Sequence, residues 1–219
     1  ANFTAAVLAV AQPLLEASDG GAFLLFTSHR ALRAAAALLR EAAWAGGWPL
    51  LVQNDAPREQ LRRRFRGSGR AVLLGTASFW EGVEVPGAAL RLVLIDKLPF
   101  APPDDPQVRA RSQYLQSRGM NAFRDYQLPE AALALKQGVG RLIRSEDDRG
   151  VVAICDPRLL TRGYGRALLS SLPPMRPTRV LEEAVQLLQR CARELPAGRR
   201  AEDSTRPTPG AAAAAGGPA

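Results

Sequence analysis

Apolar residues along this chain fall into two patterns. Five short runs carry almost no polar interruption: AFLLFTS (22–28), WPLLVQN (48–54), AVLLGTAS (71–78), LRLVLIDKLPF (90–100) and VVAICDP (151–157). Runs of that length predict strands buried on both faces. Between and after them the apolar positions recur at helical spacing, which predicts helices over 29–46, 57–67, 105–118, 130–144, 161–171 and 178–194. Gly46-Gly47 ends the first of these, and Pro57 opens the second, which Gly67 closes. The opening segment, ANFTAAVLAVAQPLLEASDGG, reads as one more helix; it has no basic start and acids follow it, unlike a leader peptide. Strands alternating with helices predict an α/β fold with a parallel sheet flanked by helices on both faces.

The pattern also sets the boundaries. Residues 1–19 form a lead-in helix and 20–195 a single α/β domain. From Pro196 to Ala219 no large apolar residue occurs, and Ala, Gly and Pro make up 16 of 24 positions. Such a segment cannot bury enough surface to offset the entropy of ordering, so 196–219 is expected to be disordered. No run approaches the roughly 18 apolar residues of a membrane span.

Composition narrows the chemistry. The net charge is +8, and only Lys97 and Lys136 among the 29 basic residues are lysine. A basic balance favours a polyanion such as nucleic acid or nucleotide, although an arginine- and alanine-rich chain also fits a GC-rich genome. Two distant cysteines, Cys155 and Cys191, make no disulfide framework and no CxxC metal spacing, and His29 is the one histidine. A reducing, cytoplasmic setting fits.

In open α/β sheets, ligands bind beyond the carboxyl ends of the strands, so the segments after each strand are the candidates. FTSHR (26–30) places Thr27 and Ser28 where a helix begins, a place that suits an anion or a plain N-cap. LLGTASFWEGVEVPG (73–87) holds Thr76 and Ser78, whose hydroxyls suit phosphates, and Trp80, which suits a stacked base. Its acids Glu81 and Glu84 suit a ribose hydroxyl, and the amide of Gly82 suits a phosphate. An ordinary loop with a packed aromatic pair fits the same letters.

LKQGVGRLIR (135–144) sets Gln137, Arg141 and Arg144 on one helical face beside an apolar stripe of Leu135, Val139 and Leu142. Two guanidiniums aimed at one spot repel unless an anion lies there, such as a γ-phosphate in transfer. A solvated basic helix face is the plain alternative. The cluster Arg58, Arg62, Arg63, Arg64, Arg66 and Arg70 likewise fits a solvated helix or a nucleic-acid patch.

Taken together, VLLGTASFWEGVEVPG, LRLVLIDKLPFAPPDDP, YQLPEAALALKQGVGRLIRSEDDRGVVAICDPRL and SLPPMRPTR resemble the last helicase motifs of the DinG/YoaA-type, XPD-like superfamily 2 DNA helicases. The resemblance spans about residues 20–195 and implies the second RecA-like domain, built on the P-loop NTPase-type sheet. It implies an ATP-dependent, 5′→3′ DNA helicase of DNA repair and replication. Arg141 and Arg144 would be arginine fingers and Gln137 their neighbour at the γ-phosphate. Gly82, Glu84 and Glu81 would lie near the nucleotide; the family usually has Asp where this chain has Glu84. Thr27, Ser28, Thr76, Ser78 and Trp80 would follow single-stranded DNA.

The chain has no GxxxxGK[ST] phosphate loop, no DEAH-like box and no four cysteines for the family's iron–sulfur cluster. Those belong to the family's first RecA-like domain. ATP and Mg²⁺ would therefore be held together with that domain, and this chain is expected to be a fragment that hydrolyses ATP negligibly alone. The replication machinery is a further partner the resemblance implies; a membrane is not. A second reading is a non-enzymatic module that binds single-stranded DNA or a protein.

Overall fold

The computed structural model describes residues 2–76, 79, 89–142 and 149–194. Its strands are β1 (Ala22–Phe26), β2 (Leu50–Val52), β3 (Val72–Thr76), β4 (Leu92–Ile95) and β5 (Val151–Ile154). They form one sheet in the order β2-β3-β1-β4-β5, with every pairing parallel. The helices are α1 (Phe3–Ser18), α2 (His29–Glu41), α3 (Arg58–Ser68), α4 (Pro106–Ser117), α5 (Leu128–Val139), α6 (Arg158–Thr161), α7 (Gly165–Ser170) and α8 (Leu181–Arg193).

Strand alternation divides the core in two. Phe23, Leu25, Leu73, Val93 and Ile95 point to one face and meet Leu61 and Phe65 of α3, Leu135 and Val139 of α5, and Leu168 of α7. Leu24, Phe26, Leu74, Leu92 and Leu94 point to the other and meet α1, α2 and α8 through Leu14, Leu32 and Leu188. The sheet is thus covered on both sides, which is why its strands read as unbroken apolar runs. The expected α/β architecture holds; the opening segment forms α1, capped by Asn2 and packed against α8.

Several boundaries differ. The strands are shorter than their apolar runs; β4 covers four residues of an eleven-residue run, because Lys97, Leu98 and Pro99 already turn away. The helix expected over 161–171 is two short helices, α6 and α7. At Gly165 a Cβ would lie 1.8 Å from the Leu159 carbonyl oxygen, so only glycine permits that close return. A π-turn at Phe123–Gln127, not anticipated from sequence, leads into α5.

The helix expected over 130–144 stops at Val139. Gly138 and Gly140 weaken its last turn, since each glycine costs about 1 kcal/mol relative to alanine in a helix. The chain then tightens: Gly140 N–H donates to Lys136 O at 2.8 Å, Arg141 N–H to Gly138 O at 3.3 Å and Leu142 N–H to Val139 O at 3.0 Å. Arg141 therefore stands in a turn and not on the helix with Gln137. Leu135, Val139 and Leu142 are buried together as expected. The expected tail, 196–219, lies outside the described residues.

Candidate nucleic-acid and nucleotide interface

The carboxyl edge of the sheet is held by side chains that close on backbone amides. Asp96, just past β4, accepts at Oδ1 from Thr27 N–H at 3.0 Å and from Lys97 N–H at 2.6 Å. Asp96 is buried, and burial pushes its carboxyl above the ordinary range, against the pull of those two amides and the Lys97 charge. The contact fixes the start of α2 against β4. Ser28 caps α2, its hydroxyl oxygen accepting from Ala31 N–H at 3.2 Å. The Ser28 proton stays available to donate, and Thr27 and Ser28 are both exposed.

Thr76 ends β3 directly opposite Phe26 in register, one strand away from Thr27. It is buried, and both its amide and its hydroxyl donate to Gln53 Oε1, at 2.7 and 3.0 Å. A phosphate at Thr76 would have to displace the hydroxyl from Gln53. Beyond β5, Asp156 accepts Leu98 N–H at 2.9 Å and a forked pair from Arg158, the shortest contact being 2.6 Å. Burial would raise the Asp156 carboxyl, but the Arg158 side chain, these amides and the Arg158 charge outweigh it and hold it below its usual range. Cys155 is half-buried, and burial together with the Asp96 charge pushes its thiol up to about 11, so it stays protonated at neutral pH.

Arg141 lies elsewhere. The crossover helix α5 runs antiparallel to the strands it connects, so its end comes to the amino edge of the sheet, where β5 starts. Leu142 lies there against Gly150, whose added Cβ would be 2.7 Å from Leu142 Cδ1. The Nε of Arg141 is buried with no hydrogen-bond partner among the described residues. Arg62 also has an unpartnered buried Nε, but its guanidinium reaches Glu59 at 3.1 Å, whereas the Arg141 side chain has no ion pair among the described residues. A half-buried arginine whose buried Nε is an idle donor suits an anion brought from outside the domain.

The structure therefore brings Thr27, Ser28 and Thr76 together at one edge and sets Arg141 apart from them, while Gln137 is exposed on α5. Ser78, Trp80, Glu81, Gly82, Glu84 and Arg144 lie outside the described residues. Sequence reasoning missed Asp96, whose signal was a single acid closing an apolar strand. Among the described residues no cluster of three or more His, Cys, Asp or Glu stands ready for a metal ion, and no helix is long and apolar enough to cross a membrane.

A family model described as the helicase C-terminal domain matches residues 11–175. This chain belongs to the helicase C-terminal domain family. It is 48% identical over 180 residues to the ATP-dependent DNA helicase YoaA of Escherichia coli, covering 82% of this chain and 28% of that protein. It is 43% identical over 180 residues to the ATP-dependent helicase DinG of Mycobacterium tuberculosis, covering 82% of this chain and 27% of that one. The chain thus spans just over a quarter of the length of these curated relatives. A solved XPD structure from S. tokodaii superposes with a TM-score of 0.56 at 17% identity, over 79% of this chain and 34% of that one, and shows the shared fold. The helicase C-terminal domain is therefore of the DinG/YoaA type, on the RecA-like sheet that the resemblance implied.

Proposed function

We propose that this domain is the second half of an ATP-driven DNA motor that moves 5′→3′ in DNA repair and replication, in the cytoplasm. The observation that carries the reading is the buried Nε of Arg141, unpartnered among the described residues, in the motif whose resemblance implies that Arg141 and Arg144 are arginine fingers. ATP, with Mg²⁺, would be held mainly by a first RecA-like half; this domain would close on it. Arg141 and Arg144 would then meet the γ-phosphate, with Gln137 alongside and Gly82, Glu84 and Glu81 nearer the nucleoside. Fixed guanidiniums stabilise the charge that develops on the transferred phosphoryl without reorganising.

At the opposite edge, Thr27 and Ser28 would grip single-strand phosphates, with Thr76, Ser78 and Trp80 following the strand. The Asp96 bridge supports that grip because it fixes the backbone that presents Ser28. The amino-edge placement of Arg141 supports a division of labour, with nucleotide and strand contacting different edges of one rigid sheet.

Any iron–sulfur cluster or contact with the replication machinery would belong to the longer protein. The test is DNA-stimulated ATP hydrolysis by the domain joined to a first RecA-like half. Arg141→Ala is expected to remove about 10³–10⁵ of the rate while single-strand binding persists. Unchanged turnover would end the finger assignment. The 219-residue chain alone is expected to hydrolyse ATP negligibly.

The exposed Thr27 and Ser28 at the carboxyl edge favour a second reading, a module that binds single-stranded DNA or a protein without turnover. Titration with a labelled single strand at two salt concentrations separates them from inert structure, because phosphate contacts weaken steeply with salt.

A further inference from the structure

The segments that leave β4 and β5 meet in an aromatic cluster that none of the roles above uses. Phe100 follows the β4 exit, Phe123 opens the π-turn before α5, and Tyr164 joins α6 to α7. The Phe100 and Phe123 rings are stacked, with centroids 5.6 Å apart and planes 27° from parallel. Tyr164 closes the triangle, 5.5 Å from Phe100 and 5.3 Å from Phe123. Arg158, gripped by Asp156, sits over Phe100 with its Cζ 5.6 Å from the ring centre. Phe100 and Tyr164 are half-buried, but Phe123 is 39% exposed. Its ring is thus backed by two aromatics and keeps part of its surface open to solvent.

The surroundings suit a polyanion. From Pro157 to Leu181 the chain carries arginines at 158, 162, 166, 176 and 179 and no carboxylate. An open π-face beside arginines, at the strand exits where the sheet presents Thr27 and Ser28, matches what an unstacked base with its phosphate requires. A patch serving only an apolar protein partner would not need that charge.

We propose that Phe123, backed by Phe100 and Tyr164, is a stacking platform for an unpaired base of single-stranded DNA. This rests on the reading that a single strand crosses the carboxyl edge. Phe100 and Tyr164 set the tilt of the Phe123 ring.

The experiment titrates the 219-residue chain with a fluorescein-labelled oligothymidylate and with an abasic strand of equal length, at two salt concentrations. Phe123→Leu keeps apolar bulk and removes the π-face; Phe123→Trp keeps it. Phe123→Leu is expected to weaken oligothymidylate binding about 5- to 100-fold and Phe123→Trp to preserve it. Abasic binding should be equal for all three proteins, and the salt slope unchanged, since no phosphate contact is lost. Circular dichroism confirms that each variant is folded. Equal oligothymidylate affinity for Phe123→Leu, or an equal loss on the abasic strand, overturns the platform. Absence of salt-sensitive binding by the unsubstituted chain overturns instead the reading beneath it, and the platform with it.

Discussion

Arg91 and Arg141 stand at the same edge of the sheet and are opposites. Arg91 is 2% exposed, and its Nε donates to Ser18 O at 2.8 Å while Nη2 donates to Asp19 O at 3.1 Å and Gly69 O at 3.0 Å. It ties the α1–β1 turn to the turn between α3 and β3. Next to it Asp19 is gripped by Arg70 at 2.7 Å and by Trp48 at 3.3 Å. Burial would raise the Asp19 carboxyl, but those bonds and the Arg70 and Arg91 charges bring it below its usual range. Arg141 has no such setting among the described residues. A guanidinium satisfied by carbonyls is a joint, whereas one with an idle buried donor is a receptor for something not yet in place. The partners tell the two apart.

That contrast breaks most visibly at Arg141. In the joined motor, Arg141→Ala should remove about 10³–10⁵ of the ATPase rate while changing this domain's free energy of unfolding in urea by less than about 0.5 kcal/mol. A large loss of stability would make Arg141 a joint like Arg91. The converse holds for Arg91→Met, which leaves three carbonyls without their donor and is expected to destabilise the domain by about 3–5 kcal/mol. Equilibrium unfolding in urea reads it, and a shift under 1 kcal/mol would refute the joint.

Gly21→Ala sharpens the same point at a smaller scale. Gly21 has φ +57°, and an added Cβ would lie 2.6 Å from Arg91 Cζ. The strained backbone and the crowding are expected to cost about 1–3 kcal/mol. Because the methyl collides with the guanidinium, Gly21→Ala and Arg91→Met should be non-additive in a double-mutant cycle. Additive losses would mean that backbone strain alone makes Gly21 necessary.

Much of this was legible in the letters, and the reason is physical. Five apolar runs gave five strands because a doubly covered parallel sheet buries both sides of each strand. The stripe of Leu135, Val139 and Leu142 was readable because its spacing survives the turn after Val139. The turn itself was not, since placing Arg141 off the helix depends on two glycines whose effect is settled by packing against Gly150. Arg91 was invisible for a related reason: inside LRLVLID it reads as one polar interruption, and its carbonyl partners at Ser18, Asp19 and Gly69 come from distant turns. Thr27 and Ser28 were found from their place at a strand end, but the Asp96 bridge that fixes them joins positions 69 residues apart.

Asp96 offers a third case, a buried charge met chiefly by neutral amides, and the smallest expected effect. Its folded carboxyl is raised above the unfolded value of about 3.9. The sign follows from linkage: the stability it contributes is full below that unfolded value and is lost as pH rises through the folded one. Asp96→Asn keeps an oxygen for the Thr27 and Lys97 amides but never ionises. The variant should therefore match the parent near pH 4 and melt at an equal or higher temperature at pH 7, by no more than about 1 kcal/mol in stability. Thermal melts at the two pH values check this. A variant less stable at pH 7 would show that the two amides and Lys97 require the full negative charge, placing Asp96 with Arg91 among the joints.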